Sequence, residues 1–481
     1  MKKASLSYFL MLLVTGLVIA AVLHFGATLP APTDTGSGKS VTAAAAHTAA
    51  APADDSALSA MTTNLQANLN HPLSHLFVQL LVVISAARLM GMLFTRLGQP
   101  AVVGEMVAGI LLGPSLFGWL APEAFGFVFP RDSLGTLRLM SQVGVCLFMF
   151  AVGMDFNASH VRNKAHSAVA VSHASIVLPY MLGVLLAYFL FSDLAATGAS
   201  FTAFALFMGI AMSITAFPVL ARILQERGIS RTFLGSTAIT CAAVDDVTAW
   251  SILAFVVAIT QASSLAASAL NLVLVLGFVG VMVFGVRRAL PRWLGVDRLA
   301  SEEPSRGTLA TVLCVVVAAA LCTEVIGIHA LFGAFLAGAI MPEANNFRQK
   351  IHVRVEHFSS VLLLPLFFAF TGLRTQINLL NDLDGWLLCA LVIAVATLGK
   401  LGGSAIAARM TGMSWRESLQ LGALMNTRGL MELIALNIGY DLGILSPRIF
   451  TMLVIMALVT TAMTGPLLTL FGNKPQPADA R

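Results

Sequence analysis

Long apolar runs dominate this chain of 481 residues, and few charges interrupt them. A run of about 20 apolar residues is the length that a helix needs to cross a bilayer. Asp, Glu, Lys and Arg make up only 11% of the chain, against about 25% in a typical soluble domain. A transmembrane β-barrel would alternate polar and apolar residues, and these runs do not alternate. The sequence therefore predicts an all-α polytopic membrane protein.

The apolar runs predict about thirteen transmembrane helices. They are expected at 73–93, 101–117, 136–154, 167–191, 201–224, 234–262, 267–286, 308–326, 328–342, 358–373, 384–408, 417–438 and 447–472. Residues 1–28 fit either a signal peptide or an N-terminal membrane helix. Residues 29–70 are predicted to form a flexible extracytoplasmic linker. The transmembrane domain is expected over 71–473, with a short cytoplasmic tail at 474–481.

Basic residues collect in alternate connections between the predicted spans, for example Arg287, Arg288 and Arg292 in one loop and Arg409 and Arg416 in another. Cytoplasmic loops carry such an excess of Lys and Arg. This pattern predicts that residue 70 lies outside, that the C-terminus is cytoplasmic, and that the protein sits in the inner (plasma) membrane. The formal net charge of +5 then reflects membrane topology, and no nucleic-acid partner is expected.

An internal repeat divides the membrane domain. Three glycine-containing segments recur in the same order: 104–109 with 333–338, 153–155 with 372–374, and 209–213 with 422–426. The partners are seven predicted helices apart, and an odd separation gives the two copies opposite orientation. Inverted repeats of this kind are typical of secondary transporters.

Polar residues and helix breakers interrupt the fifth and twelfth spans at corresponding places. The fifth carries Ser213, Thr215 and Pro218, and the twelfth carries Asn426, Thr427, Arg428 and Gly429. Unwound backbone at membrane depth occurs only where it is buried in protein or lines a cavity. Paired breaks in the two halves of a repeat therefore indicate the binding site.

Two adjacent carboxylates, Asp245 and Asp246, lie near the middle of the sixth predicted span. A charge at the bilayer centre costs roughly 2.5–3.5 kcal/mol on insertion scales, so these residues indicate function. Neighbours on a helix diverge by about 100°, which lets the two side chains meet different partners. Lys400, inside the eleventh span, is the natural counter-charge.

Four further charged residues are candidates for supporting the site: Glu105, Glu324, Arg428 and Glu432. A structural ion pair is an equal alternative for each of them, and the four-residue spacing of Arg428 and Glu432 suits a pair on one helix. Arg374 is expected at the membrane interface.

Carboxylates, hydroxyls and freed carbonyls are hard oxygen ligands that suit a small cation. A carboxylate that takes either a cation or a proton, combined with alternating access, suffices for cation/proton exchange. A cation channel is an alternative, although it usually has symmetric filter loops. An intramembrane aspartyl protease is another, but adjacent aspartates diverge and do not form a dyad. We therefore expect no enzyme activity and no resident cofactor, only transported sodium or potassium and protons.

The chain resembles the monovalent cation:proton antiporter-2 family of sodium/proton and potassium/proton exchangers. The motifs that carry the resemblance are 98–105, 216–222, 243–246, 327–335 and 426–433. The resemblance implies a homodimer in the lipid bilayer, with two crossed, broken helices in a mobile core. It also implies that Asp246 is the main cation and proton carboxylate, that Asp245 pairs with Lys400, and that Thr215 contributes to the site.

Overall fold

A computed structural model describes residues 2–26, 64, 68–69, 71–155, 165–230, 232–261, 265–295 and 304–472. Within these ranges all the extended regular elements are helices. The predicted tail and nearly all of the predicted linker lie outside the described residues. The N-terminal segment forms a helix, α1 (Lys2–Gly26).

Among the described residues, the first half of the membrane domain contains nine helices. They are α2 (Pro72–Arg96), α3 (Ala101–Leu111), α4 (Phe117–Leu120), α5 (Pro122–Val128), α6 (Leu134–Asp155), α7 (Ala165–Leu194), α8 (Phe201–Ser213), α9 (Phe217–Glu226) and α10 (Phe233–Gln261).

A linking helix follows, formed by α11 (Leu265–Gly280), a π-helical turn and α12 (Arg287–Leu294). The second half contains α13 (Arg306–Ile326), α14 (Ala330–Ala339), α15 (Phe347–Phe358), α16 (Leu364–Arg374), α17 (Leu383–Thr397), α18 (Gly403–Met410), α19 (Trp415–Met425), α20 (Leu430–Asp441) and α21 (Pro447–Phe471). π-Helical turns join α15 to α16 and α17 to α18.

Ten helical stretches among the described residues are long and apolar enough to cross a membrane. They coincide with ten of the predicted spans. The other three predictions fall on the 11-residue α3, the 10-residue α14 and the pair α19 and α20, which a break separates. The chain is therefore a multi-pass membrane protein, as its sequence predicts.

The helices pack into two bundles. One contains α2, α3, α6, α13, α14 and the α15–α16 helix, and the other contains α7 to α10 and α17 to α21. In an apolar 18-residue stretch of α8 and α9, which belong to the second bundle, 83% of the residues are buried, whereas 11% are buried in such a stretch of the linking helix. The broken helix α8–α9 is therefore central, and the linking helix is peripheral.

Close glycine contacts show the reciprocity that an inverted repeat requires. A Cβ on Gly109 of α3 would lie 2.1 Å from the Phe368 carbonyl of α16, and one on Gly372 would lie 1.9 Å from the Gly109 carbonyl. In the other half, a Cβ on Gly338 of α14 would lie 2.1 Å from the Phe150 carbonyl of α6. Thus α3 of the first half crosses α16 of the second half, and α14 of the second half crosses α6 of the first. Neither crossing leaves room for a side chain at these glycines.

Candidate ion-binding site

The two broken helices meet at their breaks. The backbone N–H of Ala216, between α8 and α9, donates to the carbonyl of Thr427, between α19 and α20, at 3.0 Å. Pro218 stands in the first turn of α9, where its missing N–H leaves no intrahelical bond unmade. Gly429 precedes α20 with φ 139° and ψ −127°, a conformation that only glycine adopts readily. The breaks that the sequence predicts therefore cross at one point inside the bundle.

The carboxyl end of α8 is held by two cationic side chains. The Arg428 guanidinium donates to the carbonyls of Ala211 and Met212, each at 2.6 Å. The Lys400 ammonium donates to the carbonyl of Ser213. The last carbonyls of a helix have no intrahelical partner and carry partial negative charge. These cations satisfy them where α8 stops at membrane depth.

Asp245 is completely enclosed and accepts four hydrogen bonds. Ser172 Oγ donates to Oδ1 at 2.5 Å. Ser175 Oγ and Thr215 Oγ1 each donate to Oδ2 at 2.7 Å, and Lys400 Nζ lies 3.1 Å from the same oxygen. The side chains of Asp245 and Lys400 are both 0% exposed. The predicted pairing of Asp245 with Lys400 is thus present in the structure.

Asp246 has a different environment, as the divergence of neighbouring side chains predicts. It faces the backbone N–H of Phe217, the first residue of α9. Its Oδ1 atom is buried and has no hydrogen-bond partner among the described residues. The amino end of a helix favours negative charge. Asp246 therefore has a carboxylate oxygen without a hydrogen-bond partner among the described residues, and this oxygen lies beside the break in α8–α9.

The remaining predicted residues separate into two groups. Arg428 and Glu432 form a fully buried pair, with the guanidinium 3.3 Å from the carboxylate, and Asn426 is buried with neither amide atom partnered among the described residues. Glu105, on α3, and Glu324, on α13, belong to the bundle that does not contain the two helix breaks. Glu324 is exposed and accepts from the backbone N–H of Ala330 at 2.8 Å.

Contacts at the break also involve Ser213 and Thr427. The Ser213 hydroxyl bonds back to the carbonyl of Ile210 at 3.0 Å, so only its carbonyl faces Lys400. The Thr427 hydroxyl lies 3.2 Å from the hydroxyl of Thr464 on α21. These two side chains support the break and make none of the hydrogen bonds found at Asp245.

The sequence patterns do not single out Ser172 and Ser175, which contact Asp245 from α7. A pair of hydroxyls three residues apart lies on one helix face. That spacing in a largely apolar span is the signal that the sequence offers. It is weak because helical serines commonly bond to their own backbone.

A second polar cluster joins the two bundles near the end of α20. Arg374, on α16, lies 2.6 Å from Asp441 and donates to Asn437 at 2.8 Å. Arg138, at the start of α6, lies 3.4 Å from the other oxygen of Asp441. A cavity beside the cluster is lined by residues of both bundles, among them Gln142, Asn437 and Asp441. Arg374 is thus engaged in a contact between the bundles.

Comparison with known proteins identifies this arrangement. The family model described as "Sodium/hydrogen exchanger, transmembrane" matches residues 81–474. The chain belongs to the sodium/hydrogen exchanger family. Family members are transporters, as the sequence predicts, and the enzyme alternative is excluded accordingly.

The similarity to individual relatives extends over most of this exchanger chain. It is 43% identical to the Na(+)/H(+) antiporter NhaS4 of Synechocystis over 395 residues, which are 82% of the chain and 96% of the relative. It is 40% identical to Cation/H(+) antiporter 17 of Arabidopsis thaliana, covering 83% of the chain and 48% of that protein. The exchanger chain thus spans about half the length of this plant relative.

The exchanger fold is also seen in a solved structure. The sodium proton antiporter MjNhaP1 of Methanocaldococcus jannaschii superposes with a TM-score of 0.60 at 13% identity. The match covers 84% of this chain and 100% of that one. It supports the predicted fold of inverted repeats with crossed, broken helices.

Proposed function

We propose that this protein exchanges sodium or potassium for protons across a membrane, with Asp246 as the carboxylate that binds either ion. The observation that carries the proposal is the unequal state of two adjacent buried aspartates. Asp245 is saturated with four donors, whereas Asp246 keeps an oxygen without a partner among the described residues. Of the two aspartates, Asp246 is therefore the one that offers an approaching cation a carboxylate oxygen without a partner among the described residues.

Competition at Asp246 gives exchange. A cation and a proton cannot both neutralise the same carboxylate, so binding of one favours release of the other. Asp245 and Thr215 lie beside this position and supply further hard oxygen atoms once Lys400 withdraws from Asp245. The neutralised site then becomes accessible from the other side of the membrane. Alternating access of this kind, without a continuous pore, distinguishes the exchanger from a channel.

Several finer features belong to the same proposal. Movement of the α7–α10 and α17–α21 bundle against the other would expose Asp246 to each side in turn. We propose that the protein works as a homodimer in the inner (plasma) membrane, with a cytoplasmic C-terminus as its basic loops indicate. We also propose electrogenic exchange, since two carboxylates and one lysine share the site.

Transport by purified protein in liposomes that contain a pH dye tests the proposal. Addition of sodium, potassium or lithium should produce saturable proton movement in the wild type and none in Asp246→Asn. Asp384→Asn is the matched control, because Asp384 is exposed in the first turn of α17, and it should transport normally. Unchanged transport by Asp246→Asn would contradict the proposed site. A rate that responds to a clamped membrane potential would support electrogenic exchange, and an unresponsive rate would contradict it.

A further inference from the structure

Two serines on α7 differ from the neighbouring hydroxyl side chains in the described helices. Hydroxyls in transmembrane helices commonly bond to a carbonyl of their own helix. On α10, for instance, Thr237, Thr240 and Thr248 each donate to the carbonyl four residues earlier. Ser172 and Ser175 instead donate across to Asp245 on α10, at 2.5 and 2.7 Å. Both serines are fully buried.

The serines divide the two oxygens of Asp245 between them. Ser172 supplies the hydrogen bond to Oδ1, and Ser175 shares Oδ2 with Thr215 and Lys400. Two donors on different oxygens fix the plane of a carboxylate, whereas one donor leaves it free to turn. The orientation of Asp245 is therefore set from α7 as well as from the lysine.

Ser175 also contacts the other member of the ion pair. Lys400 Nζ donates to the backbone carbonyl of Ser175 at 2.8 Å and lies 3.3 Å from its hydroxyl. If the ammonium leaves, the hydroxyls of both serines still hold Asp245. A buried carboxylate that loses its only partner is costly, and these donors lower that cost.

We infer that Ser172 and Ser175 are positioning residues that keep the Asp245 carboxylate oriented toward the ion site when Lys400 withdraws. The inference rests on the proposed function, because it takes Asp245 and Asp246 as the place where the cation binds. Neither serine need touch the cation. Their effect on binding passes through the orientation of Asp245, and it is therefore the same for every cation that the site accepts.

The test compares the half-saturating cation concentration of the Ser172→Ala, Ser175→Ala and double variants with that of the wild type, in the liposome assay. Each alanine should raise this concentration roughly tenfold for sodium, potassium and lithium alike, because a hydrogen bond to a charged group is lost. The maximal rate should stay within about twofold. Ser172→Thr and Ser175→Thr keep the hydroxyl and should restore most of the affinity.

Ser418→Ala provides the matched control, since Ser418 is a buried serine of the same bundle whose hydroxyl has no partner among the described residues. It should leave the half-saturating concentration unchanged. Only variants that elute as folded protein on size exclusion are compared.

Three results would overturn the inference. Wild-type affinity in both alanine variants would show that the serines do not position Asp245. A fall in maximal rate at constant affinity would show a purely structural role. A changed preference among the three cations would show that the hydroxyls bind the cation directly. Asp246→Asn, measured in parallel, separates this inference from the proposed function: normal transport by that variant would refute the site itself.

Discussion

At the residue scale, the site contains buried charged side chains that are stabilised by different interactions. Lys400 and Asp245 compensate each other, and Ser172, Ser175 and Thr215 complete the shell of donors around the carboxylate. Asp246 relies on a helix terminus instead. Two identical, adjacent side chains thus have different surroundings because their directions differ by about 100° on α10.

Removal of Lys400 should destabilise the protein strongly. The Lys400→Ala variant leaves Asp245 without its counter-charge and the Ser213 carbonyl without a donor. Breaking a buried pair by removing one partner costs about 3 kcal/mol or more. Thermal unfolding in detergent should show a clearly lower Tm. Adding Asp245→Asn should recover part of the loss, and a double variant no more stable than Lys400→Ala would contradict the pairing.

The sequence predicts the ion pair of Asp245 and Lys400 but not its serine partners. The difference lies in which partners are open to a buried charge and to a buried hydroxyl. An unpaired charge inside the bilayer is energetically unfavourable, so a buried carboxylate requires a nearby opposite charge. Lys400 is one of the few basic residues within the predicted spans. A helical serine, by contrast, can donate its hydroxyl hydrogen bond to a backbone carbonyl of its own helix. Which partner Ser172 takes depends on how α7 and α10 pack, and a single sequence does not contain that distance.

At the element scale, the site depends on two helices that stop in the middle of the bundle. Proline and glycine chemistry made both breaks predictable, at Pro218 and Gly429. The π-helical turn Leu398–Gly402, which carries Lys400, was not predicted. Such turns leave no marked sequence pattern, although they are frequent at functional sites.

The Arg428 guanidinium should be indispensable for the crossing of the broken helices. It serves two carbonyls of α8 and the carboxylate of Glu432 together. Arg428→Lys keeps the charge but lacks the planar fork that reaches several acceptors at once. We expect this variant to retain at most about a tenth of the transport rate, and Arg428→Ala to yield little folded protein. A wild-type rate in Arg428→Lys would show that charge alone suffices.

Helix crossings provide a separate test of the repeat. Gly372→Ala would place a Cβ 1.9 Å from the Gly109 carbonyl, so α3 and α16 must separate, and the yield of folded protein should fall sharply. Gly277→Ala is the control, because a Cβ there meets nothing within 4 Å. That substitution should be neutral or stabilising by up to about 1 kcal/mol. Equal stability of both variants would contradict the close crossing.

At the scale of the whole molecule, two bundles share polar contacts that any relative movement must break. The cluster of Arg138, Arg374 and Asp441 is the most highly charged contact described between the bundles. Asp441→Asn weakens both ion pairs at once. We expect it to change the maximal transport rate by about threefold or more and to leave the half-saturating cation concentration unchanged, because Asp246 is untouched.

Asp382→Asn is the control for this prediction. Asp382 pairs with Arg448 within one bundle, and both side chains are substantially exposed. Exposed pairs contribute little, about 0–1 kcal/mol, so the transport rate should stay near that of the wild type. An altered half-saturating concentration in Asp441→Asn would place that residue in the ion site rather than between the bundles.

If a cation and a proton compete for Asp246, binding of the cation must release a proton into solution, and that release can be measured. Purified protein in weakly buffered detergent solution would be titrated with sodium and with potassium while the pH is recorded. We predict saturable acidification in the wild type and in Asp384→Asn, and none in Asp246→Asn. Cation binding without proton release, or equal release by Asp246→Asn, would contradict the claim.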